Sequence, residues 1–151
     1  MKHYIIDGNN LIGKIKALNQ LHKKNKQQSA EKLASLIVRY FSSKKATVSL
    51  HFDGVQSDGI KVSGIKIIYS GKISADEKIK TEIGKSENSK HIILITSDSN
   101  LAEFGHVCSC QVIKSEEFSK QLLFSGFSDE ENTRIEELNN PEEFKKLFGI
   151  K

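Results

Sequence analysis

Short apolar runs alternate with helix signals along the chain, and this alternation limits the fold more than any other feature. Residues 3–6 (His-Tyr-Ile-Ile), 47–52 (Thr-Val-Ser-Leu-His-Phe), 65–69 (Ile-Lys-Ile-Ile-Tyr), 91–96 and 111–113 are strand-length and lie close to turn-forming residues. Between them, Leu33, Leu36, Ile37, Tyr40 and Phe41 recur every three or four positions, which predicts a helix with one apolar stripe, capped by Ser29. Ser74-Ala75-Asp76-Glu77 has the form of a capping box, so a helix should open there and run to about Glu87. Further helices are expected from Leu11, in a short stretch ending at Phe104, and from Ser115 to about Phe124, with a polar turn region at 55–64. Alternating strands and helices imply a mostly parallel sheet with right-handed crossovers, a three-layer α/β/α sandwich. The fourth strand, His91 to Thr96, is too apolar to leave one face in water and should be central.

With 151 residues there is room for one domain, and no linker, repeat or low-complexity block divides it. At 37% hydrophobic residues and a single proline, the composition can fill a core and excludes a disordered chain. Apolar runs such as Ile92 to Ile95 are far too short to span a bilayer, and Met1 to Asp7 lacks a signal peptide's apolar stretch, so a cytoplasmic protein without membrane contact is expected. From Asp129 the sequence is acidic and reads as a helical extension at about 128–151, with Asn140-Pro141-Glu142-Glu143 as a helix start. Cys108 and Cys110 read as reduced, partly buried thiols. His106 beside them offers no second cluster with which to complete a tetrahedral zinc set.

Charge is unevenly distributed. Residues 1–72 carry thirteen basic and four acidic side chains, whereas residues 73–151 carry ten and fifteen. Lys14, Lys16, Lys23, Lys24 and Lys26, with His22 among them, form the densest basic stretch and would suit a polyphosphate backbone; a plain solvated helix face is the competing reading. Lysine outnumbers arginine 21 to 2, which argues against bidentate reading of bases, so no DNA sequence specificity is expected.

Three predicted strands end in an aspartate: Asp7, Asp53 and Asp98. Parallel strands end at one edge, so these carboxylates should share a rim, joined by Asp76 from the first turn of a helix opening nearby. Ligands of open α/β sheets bind beyond this edge, where the strand order reverses. Clustered carboxylates repel one another unless a cation neutralises them, and an all-oxygen donor set selects Mg²⁺ or Mn²⁺. Each aspartate taken singly has a simpler reading as a turn or helix cap, as have Asn9, Asn10 and Ser97. Their coincidence at one edge is what points to chemistry on a phosphodiester.

These motifs resemble a known family. Ile6-Asp7-Gly8-Asn9-Asn10-Leu11-Ile12, Phe52-Asp53-Gly54, Ser74-Ala75-Asp76-Glu77 and Thr96-Ser97-Asp98, in this order, look like the NYN domain in its YacP-like branch, within the PIN-like nuclease superfamily. The resemblance runs from about Lys2 to Leu123. It implies a five-stranded sheet in the order 3-2-1-4-5 and a metal-dependent endoribonuclease. It carries the family's acidic metal and catalytic positions over to Asp7, Asp76 and Asp98, its polar position to Asn10, and its supporting positions to Asp53 and Ser97. Asn9 stands where many relatives have an aromatic residue. RNA is the implied partner, with the ribosome as a further candidate. The alternative is a non-catalytic RNA- or ribosome-binding module on the same fold. A phosphatase of the Asp-after-strand type would want a second aspartate where Asn9 stands.

Overall fold

The computed structural model describes residues 1–55, 59–60 and 62–124; the acidic extension expected at about 128–151 lies outside the described residues. The chain runs β1 (Lys2–Asp7), α1 (Gly8–Gly13), α2 (Lys16–Lys24), α3 (Lys26–Phe41), β2 (Ala46–Phe52), β3 (Lys66–Tyr69), α4 (Ala75–Lys85), β4 (Ile92–Ile95), α5 (Ser99–Val107), β5 (Gln111–Ile113) and α6 (Ser115–Phe124). All five strands are parallel, in the order β3-β2-β1-β4-β5. β4 is buried along its whole length between β1 and β5, as its unbroken apolar run requires. No helix among the described residues is long and apolar enough to cross a membrane.

Side chains alternate across the sheet and divide the core in two. Ile6, Val48, Leu50, Phe52, Ile93 and Ile95 face the layer made by α1, α2, α3 and α6. On the opposite face Ile5, Ile92 and Leu94 meet Ile79 and Ile83 of α4 and Leu101 of α5. Because β1 pairs with β2 at Ile5↔Ser49 and Asp7↔His51, the polar residues Ser49, His51 and Asp7 fall on the α4 side.

Helix boundaries depart from the sequence reading at one informative place. The helix expected to begin at Ser29 begins at Lys26, because Asn25 breaks the chain with extended backbone and caps α3 by accepting a hydrogen bond from the Gln28 N–H at 3.0 Å. Ser29 is instead buried inside the helix, where its hydroxyl donates to the Lys26 carbonyl and meets His22 Nδ1 at 2.9 Å. The capping box at Ser74 forms as expected, with Ser74 Oγ accepting from the Glu77 N–H at 3.1 Å. Cys108 and Cys110 are free thiols.

Gly8 lets α1 start directly against the sheet. A Cβ there would lie 2.6 Å from the His51 carbonyl oxygen and 2.6 Å from the Phe52 ring. Gly8→Ala must push the strand end and helix apart, so it should destabilise the protein by roughly 1–3 kcal/mol, read as a lower urea midpoint at unchanged slope.

Candidate active site

The reversal in strand order falls between β1 and β4, because β1 is followed in sequence by β2 on one side and paired with β4 on the other. Asp7 ends β1 and also caps α1, accepting from the Asn10 N–H at 3.5 Å. Asp98 follows β4 and caps α5, accepting from the Leu101 N–H at 2.9 Å. Thr96 joins the two: its hydroxyl donates to Asp7 Oδ2 at 3.1 Å and accepts from the Asp98 N–H at 3.1 Å. Asp7 is buried, while Asp98 and Asp76 are half-buried.

Asp53 reaches the same rim from the end of β2. Its Oδ1 accepts from the Ala75 N–H at 2.8 Å and so ties the first turn of α4, which carries Asp76, to the sheet edge. Its own N–H donates to Asn9 Oδ1 at 2.8 Å. Asp53 and Asn9 therefore connect α1, β2 and α4. Asn10 Oδ1 accepts from the Ser97 N–H at 2.9 Å and from the Ser115 hydroxyl at 2.7 Å, and Ser97 Oγ accepts from the Ser115 N–H at 2.9 Å. With its oxygen committed to two donors, Asn10 has only its amide nitrogen to offer a ligand.

The electrostatics match this crowding. Burial, and then the neighbouring Asp76 charge, push the Asp7 carboxyl up to about 6. Burial raises Asp76 as well, with the charges of Asp98 and Asp53 adding to it. The four carboxylates thus act on one another across the rim, although no three histidine, cysteine or carboxylate side chains among the described residues close into a ready-made metal cage.

Of the basic residues, Lys14, Lys16, Lys23, Lys24 and Lys26 are all exposed. Lys14 sits 3.1 Å from Glu116 of α6, so it is held in an ion pair while the other four lie around the ends of α2 and the start of α3. Sequence reasoning passed over Thr96 and Ser115 as functional positions. Thr96 stands within the Thr-Ser-Asp run at a strand end and could have been singled out there. Ser115 meets Asn10 across 105 positions of sequence and leaves no local signal.

The model of the family described as YacP-like NYN domain matches residues 4–147. The structure of Rae1 (YacP) from Bacillus subtilis superposes with a TM-score of 0.65 at 22% identity, covering 99% of this chain and 86% of that one. A variant of the same protein gives a TM-score of 0.67 at 19% identity, covering 80% and 74%. At these identities the likeness extends to the fold. No curated protein matches the chain.

Proposed function

Because this chain belongs to the YacP-like NYN domain family, we propose that it is a metal-dependent endoribonuclease whose site is the carboxylate rim at the reversal point of the sheet. The observation that supports this most is the gathering of Asp7, Asp76 and Asp98 from three separate elements, with Asp7 raised to about 6 by burial and by a neighbouring charge. Such repulsion is what a divalent cation relieves, and the donors are all hard oxygens. Mg²⁺ typically keeps several waters and takes one or two carboxylates plus substrate phosphate, so an incomplete protein cage suits it. Asp7, Asp76 and Asp98 would hold Mg²⁺ or Mn²⁺. When bound, the ion supplies an activated water and neutralises charge developing on the phosphate.

The chain's own groups do the rest. Asp53 fixes the start of α4 and with it Asp76. Thr96 orients Asp7, and Ser97 and Ser115 fix Asn10 so that its amide nitrogen can donate to a phosphate oxygen. Lys16, Lys23, Lys24 and Lys26 would hold backbone phosphates outside the rim. The other reading is a non-catalytic RNA- or ribosome-binding module on the same fold.

Labelled single-stranded and structured RNAs incubated with Mg²⁺, Mn²⁺ or EDTA decide between them. The wild type should cut only with metal, and Asp98→Asn should cut about a hundredfold more slowly while binding RNA as before. Asparagine caps helices as well as aspartate, so that variant should keep α5 intact. Tight binding by both proteins with no cutting in any condition would establish the binding module instead.

A further inference from the structure

A cleft of about 390 Å³ opens beside the carboxylate rim, within the size range of small-ligand sites. Its lining includes Asn9 of α1, His22 and Lys26 at the junction of α2 and α3, Phe52 and Tyr69 at the ends of β2 and β3, and Val55. The two aromatic rings lie 5.7 Å apart with their planes 36° from parallel. Val55 leaves 77% of its surface exposed, an apolar flank in contact with water.

The polar groups of the cleft look unfinished. The Tyr69 hydroxyl oxygen is buried and has no hydrogen-bond partner among the described residues, although buried polar groups are nearly always paired. Asn9 gives its amide oxygen to the Asp53 N–H and keeps its amide nitrogen for another acceptor. That same bond joins the cleft to the rim, since the Asp53 charge acts on both Asp7 and Asp76. On its far side the cleft is bordered by Lys26, which continues the exposed basic run of Lys23 and Lys24.

A ligand that fits must therefore be flat, partly apolar, able to exchange hydrogen bonds along one edge, and attached to negative charge. We propose that the cleft receives one unstacked nucleobase of single-stranded RNA, next to the phosphate that lies on the carboxylate rim. Unpaired RNA is generally read in this way, by bases splayed onto aromatic side chains and bonded along their edges. Tyr69 Oη and the Asn9 amide nitrogen supply the edge contacts, Val55 covers part of the base, and Lys26 meets an adjoining phosphate. The inference rests on RNA being the substrate, and it adds that cleavage favours a site with a base free to leave the stack.

The test uses the full chain and short single-stranded oligoribonucleotides carrying one abasic ribose, moved stepwise along the sequence. Affinity is measured in EDTA, so that nothing is cut. The wild type should lose roughly tenfold in Kd when one particular base is removed, the size of a single base contact. Tyr69→Phe and Val55→Asp should bind the intact RNA several-fold more weakly and lose little more at that abasic position. Tyr69→Phe keeps the ring and Val55→Asp alters an exposed side chain, so neither should disturb folding. Equal losses at every position, or a base-specific loss that both variants retain in full, would overturn the proposal. Cleavage with Mg²⁺ or Mn²⁺, run in parallel, separates the two readings. A base-specific loss without cleavage keeps the cleft and overturns the nuclease, and cleavage without base-specific loss does the reverse. Failure to bind RNA at all overturns both.

Discussion

Asp7→Asn is expected to make the protein more resistant to heat in metal-free buffer at neutral pH while slowing RNA cleavage by about a thousandfold or more. Both effects have one origin. The Asp7 carboxyl is raised from 3.8 to about 6 in the folded protein, first by burial and then by the charge of Asp76. The folded state therefore holds its proton more tightly than the unfolded state does. Below about pH 4 both states are protonated and Asp7 costs nothing. The penalty grows as the pH rises towards 6 and is complete above it, at roughly 3 kcal/mol as an upper figure. Asparagine removes the charge, keeps an oxygen for the Asn10 N–H and turns its amide nitrogen as a donor towards the Thr96 hydroxyl, so the cap on α1 should survive. Melting curves near neutral pH should show a gain of several degrees that disappears near pH 4. Added Mg²⁺ should raise the melting temperature of the wild type much more than that of the variant. The wild-type cleavage rate should fall as the pH drops through about 6, because a protonated Asp7 cannot bind a cation. A stability gain of equal size at both pH values would show that Asp7 carries no buried-charge penalty.

The second large effect is expected beneath the rim, on the face of the sheet that Asp7 shares with Ser49 and His51. Glu82→Ala should destabilise the fold by roughly 2–4 kcal/mol, a large share of the 5–15 kcal/mol typical of a domain. Glu82 of α4 leans onto the sheet, where Oε2 accepts from the Ser49 hydroxyl at 2.8 Å and meets His3 Nε2 at 2.5 Å, and Oε1 meets His51 Nε2 at 2.7 Å. Thr47 holds the other ring nitrogen of His3 at 2.6 Å. Alanine would leave Ser49 and the 1%-exposed His51 buried without these bonds, which costs more than the bonds themselves contribute. Burial alone would push the Glu82 carboxyl up, but the hydrogen bonds from His3, His51 and Ser49 together hold it well below the usual carboxylate range. Its contribution is therefore present above the ordinary value of 4.5 and fades as the pH falls below it. Urea unfolding at neutral pH should show the full loss and unfolding in acid a smaller one, with Glu82→Gln in between. Because Asp76 stands at the start of the same helix, the variant should also cleave more slowly. Equal stability of Glu82→Ala and wild type at neutral pH would refute the anchoring role.

The candidate site was legible in the sequence to the extent that its residues stand next to strand ends. Asp7, Asp53 and Asp98 could be assigned to one rim because parallel strands all finish at the same edge, and Asp76 because a capping box announces the helix that carries it. The bonds that hold them there were not legible. Thr96 links Asp7 to Asp98 only because β4 pairs with β1 at Ile6↔Ile95, and Asn10 turns its oxygen inward only because α6 brings Ser115 beside it. The start of α3 was misplaced for a related reason: Ser29 and Asn25 are both acceptable caps locally, and packing against His22 and the core decided between them.

Polarity along one strand does not fix burial. Ser49 and His51 interrupt the apolar pattern of β2, yet both are buried, because Glu82 arrives from a helix more than thirty residues later to bond the Ser49 hydroxyl and His51 Nε2. The sequence by itself determined the α/β class, the edge at which the carboxylates gather and the basic character of the first half. Those features follow from periodicity, chain direction and composition, which are local or additive. Only the tertiary structure decided which polar groups are paired, how far Asp7 is raised and where the cleft beside the rim opens. Those depend on distances between segments distant in sequence, and on how completely each segment excludes water from the next.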